Sequence, residues 1–269
     1  MKPILLAALL AATALPAYAA GESWEAIRAQ LFGERALLDG AEVIALDAPY
    51  RTPDDTRTQI AAQVAAPEGK LLGEVTLVLD ENPMPVSAVF AMDQPQERFF
   101  FDVTMRVNGP TPLHVIAETT DGALYVIEGF VKTSGTGACA APPGTDVEEA
   151  LASLGEMSLA VDATIPARPG EALAALASRQ RRLDVDISHP SHSGMQMDQI
   201  SLLFIPMRYV ENVEIDLDGA GYVDMTGSIS LSENPTVSLS VPSRTQSVDV
   251  TMTDTDGTVT TAHKDLAGF

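Results

Sequence analysis

A side-chain period of two constrains this chain most. Phe99, Phe101, Val103, Met105 and Val107 alternate with Asp102, Thr104 and Arg106, which places the apolar groups on one face of a strand. Ile60, Ala62 and Val64 repeat the pattern, as do Leu183, Val185 and Ile187 against Asp184 and Asp186. Apolar runs at 75–79, 113–118, 124–130, 200–204, 213–217, 228–231, 237–241 and 248–252 predict further strands. Thr120-Asp121-Gly122 and Thr255-Asp256-Gly257 read as tight hairpin turns. Near the start, Trp24, Ile27 and Leu31 share one face of a helix over 22–32, with Gly33 as its stop.

Short strands punctuated by turns, without alternating long helices, predict an all-β chain. The two halves echo each other. Residues 75–79 run into Glu81-Asn82-Pro83, and residues 228–231 run into Glu233-Asn234-Pro235. An Asp-Gly turn follows later in each half. We read two immunoglobulin-like antiparallel β-sandwiches, residues 20–133 and 182–269, with a short N-terminal helix. Residues 134–181 form the connection. Thr145 and Glu148 have capping-box spacing there, with Val147, Ala150, Leu151 and Leu154 as the apolar side of a helix that Gly155 ends.

The first 19 residues have a different purpose. Lys2 supplies a positive start, an apolar run follows from Ile4 to Leu15, and Ala17-Tyr18-Ala19 has the form of a cleavage site. The run is too short to span a bilayer, so an export signal is expected, with the periplasm as destination and no membrane anchor. Cleavage leaves 15 basic against 37 acidic residues. That balance excludes nucleic acid and anionic membrane as partners, since both require clustered cations. It favours solubility and a basic protein partner.

An exported chain with a single cysteine cannot form an internal disulfide. Cys139 sits between Gly135, Gly137, Ala138 and Ala140, in a stretch of small residues closed by Pro142, Pro143 and Gly144. Such a composition predicts a flexible, accessible loop. It is equally the composition of a plain linker. An open, acidic surrounding with only Lys132 nearby does little to activate a thiol, which suits loading by a dedicated enzyme better than catalysis.

Other chemistry is sparse. No Gly-x-Ser-x-Gly, His-Glu-x-x-His or phosphate-binding glycine loop occurs. His114 lies in a strand pattern and His263 near the end of the sequence. His189 and His192, with Met195 and Met197, are ligand types that suit copper, but His-x-x-His on a loop is a weak spacing. The competing reading is a polar turn over two packed methionines. We assign no metal site, no cofactor and no catalytic residue.

Several stretches resemble the SoxY and SoxZ sulfur carrier proteins, in the fused form associated with quinoprotein dehydrogenases. The first half is similar to SoxY through the segment from Gly40 to Pro49, Leu79-Asp80-Glu81-Asn82-Pro83, Ile116-Ala117-Glu118 and Thr120-Asp121-Gly122. The second is similar to SoxZ through the segment from Ile187 to Asp198, Ile229 to Pro235, and Asp254 to Gly257. The resemblance implies a non-enzymatic carrier that holds sulfur-containing intermediates on Cys139. Its implied partners are periplasmic sulfur-oxidation enzymes, c-type cytochromes or a quinoprotein dehydrogenase. Two alternatives are an accessory module for such a dehydrogenase that leaves the thiol idle, and a copper-binding protein. The family's cysteine lies in a glycine-flanked C-terminal tail; here alanines replace flanking glycines and the segment is internal.

Overall fold

The computed structural model describes residues 22–135, 151–162, 180–197 and 202–266. Its elements run α1 (Glu22–Phe32), β1 (Leu37–Asp39), β2 (Ile44–Asp47), β3 (Thr58–Ala65), β4 (Leu72–Leu79), β5 (Val86–Gln96), β6 (Arg98–Met105), β7 (Thr111–Thr119) and β8 (Leu124–Val131) in the first half. The second half holds β9 (Met157–Asp162), β10 (Gln180–Ile187), β11 (Val210–Leu217), β12 (Ala220–Gly227), β13 (Thr236–Pro242), β14 (Ser247–Asp254) and β15 (Val259–Asp265).

The alternation seen in the sequence becomes burial. In β3, Ile60, Ala62 and Val64 are buried, and in β10 so are Leu183, Val185 and Ile187. Such faces must be covered, and here two sheets cover each other. One sheet runs β1-β8-β7-β4-β5-β12-β11-β14-β15, the other β2-β3-β6-β13-β10-β9. The chain is all-β and sandwich-like, as the sequence predicts.

The strand orders expose an internal two-fold. Reading outward from the middle of the first sheet gives β5-β4-β7-β8 on one side and β12-β11-β14-β15 on the other. In the second sheet β6-β3-β2 mirrors β13-β10-β9. The halves meet by strand pairing, β5 with β12 and β6 with β13, both antiparallel. Buried apolar residues of both halves form one contiguous cluster. At its centre Phe90, Phe99 and Phe101 pack with ring centroids 4.8 to 6.4 Å apart. Complete burial of each ring contributes about 2–3 kcal/mol.

Polar contacts lock the seam. Arg182 of β10 reaches Asp102 of β6 at 3.2 Å and Asp184 at 2.6 Å, and the Gln59 amide donates to Asp102 at 2.6 Å. Burial pushes the Asp102 carboxyl up and the Arg182 guanidinium opposes that shift. Tyr222 of β12 places its hydroxyl 2.6 Å from the Ser240 carbonyl oxygen, and burial pushes its pKa up.

Several expectations change. Of the predicted helical face, Trp24 and Ile27 pack on the outer face of the first sheet, together with Phe32, whereas Leu31 stays exposed. Gly33 ends the helix with φ +57. Residues 228–231 are not a strand: Leu231 N–H donates to Ser228 O, and Ser230 N–H donates to Ser228 Oγ. Serine hydroxyls that bond their own backbone compete with sheet pairing. The two Asn-Pro words are consequently not equivalent: Asn82 lies between β4 and β5, Asn234 between β12 and β13. The two Asp-Gly turns are equivalent, linking β7 to β8 and β14 to β15. In the predicted connection, β9 pairs with β10. The predicted helix from Thr145 lies mostly outside the described residues; Leu151 and Ala152 are helical, and Gly155 follows with φ +82.

Candidate functional site

The segment carrying Cys139 starts from a clamp. After β8, Lys132 N–H donates to Tyr50 O and Thr52 N–H donates to Lys132 O. The Asp55 carboxylate, in a residue only 1% exposed, then receives Ser134 N–H at 2.6 Å, Ser134 Oγ–H at 2.9 Å and Gly135 N–H at 3.1 Å. Hydrogen bonds to a buried carboxylate are charge-assisted and strong. Asp55 is itself held in place by its loop: Thr52 Oγ–H donates to Asp54 O, and Thr56 N–H donates to Asp54 Oδ1. Gly135 has φ +91, a conformation that favours glycine. Cys139, Gly137, Ala138 and Ala140 lie outside the described residues.

The clamp communicates with the second half through three consecutive residues. Val107 N–H donates to Asp55 O, and Asn108 N–H to Asn82 Oδ1. Arg106 N–H donates to Ser230 O, and its guanidinium to Ser191 O. Asn82 Nδ2 donates to Ser230 Oγ at 2.9 Å. Ser191 in turn belongs to the loop that carries His189 and His192. The root of the cysteine segment and this loop therefore occupy the same end of the sandwich.

There, residues 192–197 run antiparallel to 204–208. Arg208 N–H donates to His192 O and Ile205 N–H to Gln196 O, and Met197 bridges Phe204. A buried polar network roots this hairpin. Asp254, 1% exposed, accepts from Arg208 Nε at 2.7 Å and from the backbone N–H groups of Asp256 and Thr258. His189 Nδ1 accepts Ser191 N–H at 2.9 Å, leaving Nε2–H to face Asp254 Oδ2 at 3.4 Å. Burial lowers the His189 pKa to about 4, against the opposing pull of Asp254, so the ring is neutral near pH 7. His192 Nδ1 lies 2.8 Å from Gln196 Oε1. These histidines serve the hairpin's root, and among the described residues no cluster of three His, Cys, Asp or Glu side chains could hold a metal ion. The methionines expected beneath the turn are outside it: Met195 is 45% and Met197 50% exposed.

An open cleft of about 420 Å³ has Arg57, Glu156, Asp186 and Asn234 among its lining. Arg57 donates to the carbonyls of Glu233 and Asn234. The remaining histidines are structural. His114 lies 3.0 Å from Asp80 and stacks under Trp24 at a centroid distance of 3.6 Å. His263, on the surface, has its pKa raised by Asp249 and Asp265. Sequence reasoning missed Asp55, Arg57 and Arg106, because their partners lie far along the chain and no motif marks them.

The family model for sulfur oxidation protein SoxY matches residues 28–139, ending on Cys139, and that for sulphur oxidation protein SoxZ matches residues 172–265. A comparison with curated proteins returns no match. Among solved structures, the sulfur carrier protein SoxY from Chlorobium limicola f thiosulfatophilum is 21% identical, with 43% of this chain and 98% of that one covered and a TM-score of 0.36. A beta-glycosidase from Bacteroides vulgatus is 8% identical, with 83% of this chain and 24% of that one covered and a TM-score of 0.20. The two family matches carry the assignment: this chain is a SoxY-family half and a SoxZ-family half fused into one protein.

Proposed function

We propose that the protein is an exported covalent carrier in sulfur oxidation, in which the Cys139 thiol holds a sulfur-containing intermediate while partner enzymes act on it. The observation that carries this reading is position. The chain's single cysteine stands where the SoxY match ends, just past a segment clamped by a buried carboxylate. A clamped root with small residues beyond it suits presentation of a thiol to other proteins. The carrier has no turnover of its own. The halves divide at this segment, with 20–133 before it and, after it, 182–269 joined by the edge strand β9.

Partners follow from electron balance. Joining a thiol to a second thiol-level sulfur forms an S–S bond and releases two electrons and two protons. A c-type cytochrome or a quinoprotein dehydrogenase is a suitable electron acceptor. The periplasm, reached through the signal at 1–19, is where such partners would meet the carrier. Among the described residues no helix is long and apolar enough to cross a membrane.

Intact-mass measurement of protein purified from its native host, grown with and without reduced sulfur compounds, tests the reading. A sulfur adduct that maps to Cys139 and disappears in Cys139→Ser is the expected result. Plain thiol under every growth condition overturns it.

A further inference from the structure

The hairpin beside the cysteine root has an unusual surface. Met195, Met197, Leu202, Leu203, Phe204 and Met207 are each 45% to 68% exposed, in a protein with 37 acidic residues. Contiguous exposed apolar groups on a soluble protein mark an interaction site. The hairpin is fastened to the sandwich at its base: Arg208 on Asp254, buried His189 beneath, and the Arg106 guanidinium on Ser191 O. Methionine, leucine and phenylalanine on its two arms supply adaptable apolar contact.

Charge indicates what covers it. Glu211 and Asp256 flank the hairpin and are exposed, while Arg208 is engaged by Asp254 at 2.7 Å and lies 3.7 Å from Asp256. A second copy of this chain would oppose one acidic rim to another. A partner with an apolar recess inside a basic rim complements both features. Residues 106–108 join this hairpin to the Asp55 clamp, so a protein seated here is held near the root of the cysteine segment, Ser134 and Gly135.

From this the geometry points to a docking role: the hairpin formed by 192–197 and 202–208 seats the enzyme that acts on Cys139, through a basic-rimmed apolar recess on that enzyme. The inference rests on the carrier reading above.

The test replaces Leu202, Leu203 and Phe204 together by serine in the full chain, expressed in the native host, and measures the modified fraction of Cys139 by intact mass. Urea unfolding serves as the control for folding. A fall in modified fraction of at least about tenfold, with an unchanged midpoint, is expected for loss of interface anchors. Leu203→Glu and Leu203→Lys, single changes at a residue 68% exposed, read the partner's charge and remain informative if the triple variant folds poorly. The glutamate variant should retain more modification than the lysine variant. Unchanged modification in the triple variant, or lysine outperforming glutamate, overturns the inference. So does a wild-type dimer, seen by sedimentation, that the triple variant dissolves without losing modification. Wild-type protein that carries nothing on Cys139 defeats the carrier reading instead, and the docking role with it.

Discussion

In the first half, the connection from β3 to β4 spans residues 66–71 and is closed by Lys70 N–H donating to Pro67 O at 2.9 Å. Its two-fold counterpart, from β10 to β11, spans residues 188–209 and carries the apolar hairpin over a buried histidine and carboxylate. The same strand frame thus has a tight turn on one side and a long connection with a buried polar root on the other. In the first half the comparable root follows β8 at Ser134 and Gly135, and again a buried carboxylate holds it: Asp55 there, Asp254 here. The difference lies in what each carboxylate grips. Both accept main-chain N–H groups, but Asp254 also faces a guanidinium and an imidazole, where Asp55 adds only the Ser134 hydroxyl. The connections differ while the strands stay alike, and both roots lie at one end.

That comparison presumes one shared frame, and Phe101 tests it most severely. Fully buried on β6, at the pairing with β13, it packs on Phe90 and Phe99. Phe101→Ala should cost about 3–5 kcal/mol by leaving a cavity. Because the core is continuous across the seam, tryptophan fluorescence, which reports Trp24 in the first half, and far-ultraviolet circular dichroism should shift together in urea. A transition that splits in two, with only one half weakened, would break the idea of a joint frame.

The roots should differ in their response to pH. His189 titrates at about 4 in the fold against 6.5 as its ordinary value, so the unfolded chain takes up the proton first. Stability contributed by the neutral ring is present above pH 6.5 and lost as pH falls toward 4, a loss of about 3 kcal/mol across the window. Asp254, whose own pKa is lowered by Arg208 and backbone N–H groups against the effect of burial, adds its loss only below that range. His189→Asn keeps an acceptor for Ser191 N–H and removes the titration. Its urea midpoint should vary less between pH 7 and pH 4.5 than the parent's. Equal slopes for parent and variant would detach His189 from the hairpin's root.

At the other root, Asp55→Ala strands the N–H groups of Ser134 and Gly135 and should cost about 2 kcal/mol. Limited proteolysis should accelerate near residue 135, while the hairpin's cleavage rate stays at the parent value. Parallel acceleration at both places would mean that the two roots open together.

How much of this was legible in the sequence depends on the range of the forces involved. β3, β6 and β10 announce themselves, because strict alternation is a local consequence of one buried face. β5 and β12 do not, although they form the seam. β5 ends in exposed Asp93, Gln94 and Pro95, and β12 contains Gly221 and Asp224 and pairs with β11 across a register shift. Ser228-Ile229-Ser230-Leu231 has the right alternation and the wrong structure, since serine hydroxyls close a turn there. Cys139 could be singled out by composition, and residues 134–135 as its root by adjacency. Asp55 could not, because it meets Ser134 across 79 positions of sequence. The apolar run at 200–204 reads as a strand, of which 200 and 201 lie outside the described residues; Leu202, Leu203 and Phe204 face solvent, and periodicity cannot distinguish a buried face from an exposed one.

The smallest expected effect compares the two ends of the cysteine segment. Gly135 and Gly155 both have positive φ, +91 and +82. At Gly135 a Cβ would meet nothing within 4 Å, whereas at Gly155 it would lie 2.5 Å from Thr260 Cγ2 on β15. Gly135→Ala therefore costs only backbone strain, about 1 kcal/mol. Gly155→Ala adds a steric clash and should exceed it, since Thr260 is β-branched and stands in a paired strand with little freedom to move. Urea unfolding of the two variants measures the difference directly. Equal losses would mean that β15 yields to the added methyl, and the return of the segment would then be as loosely packed as its exit.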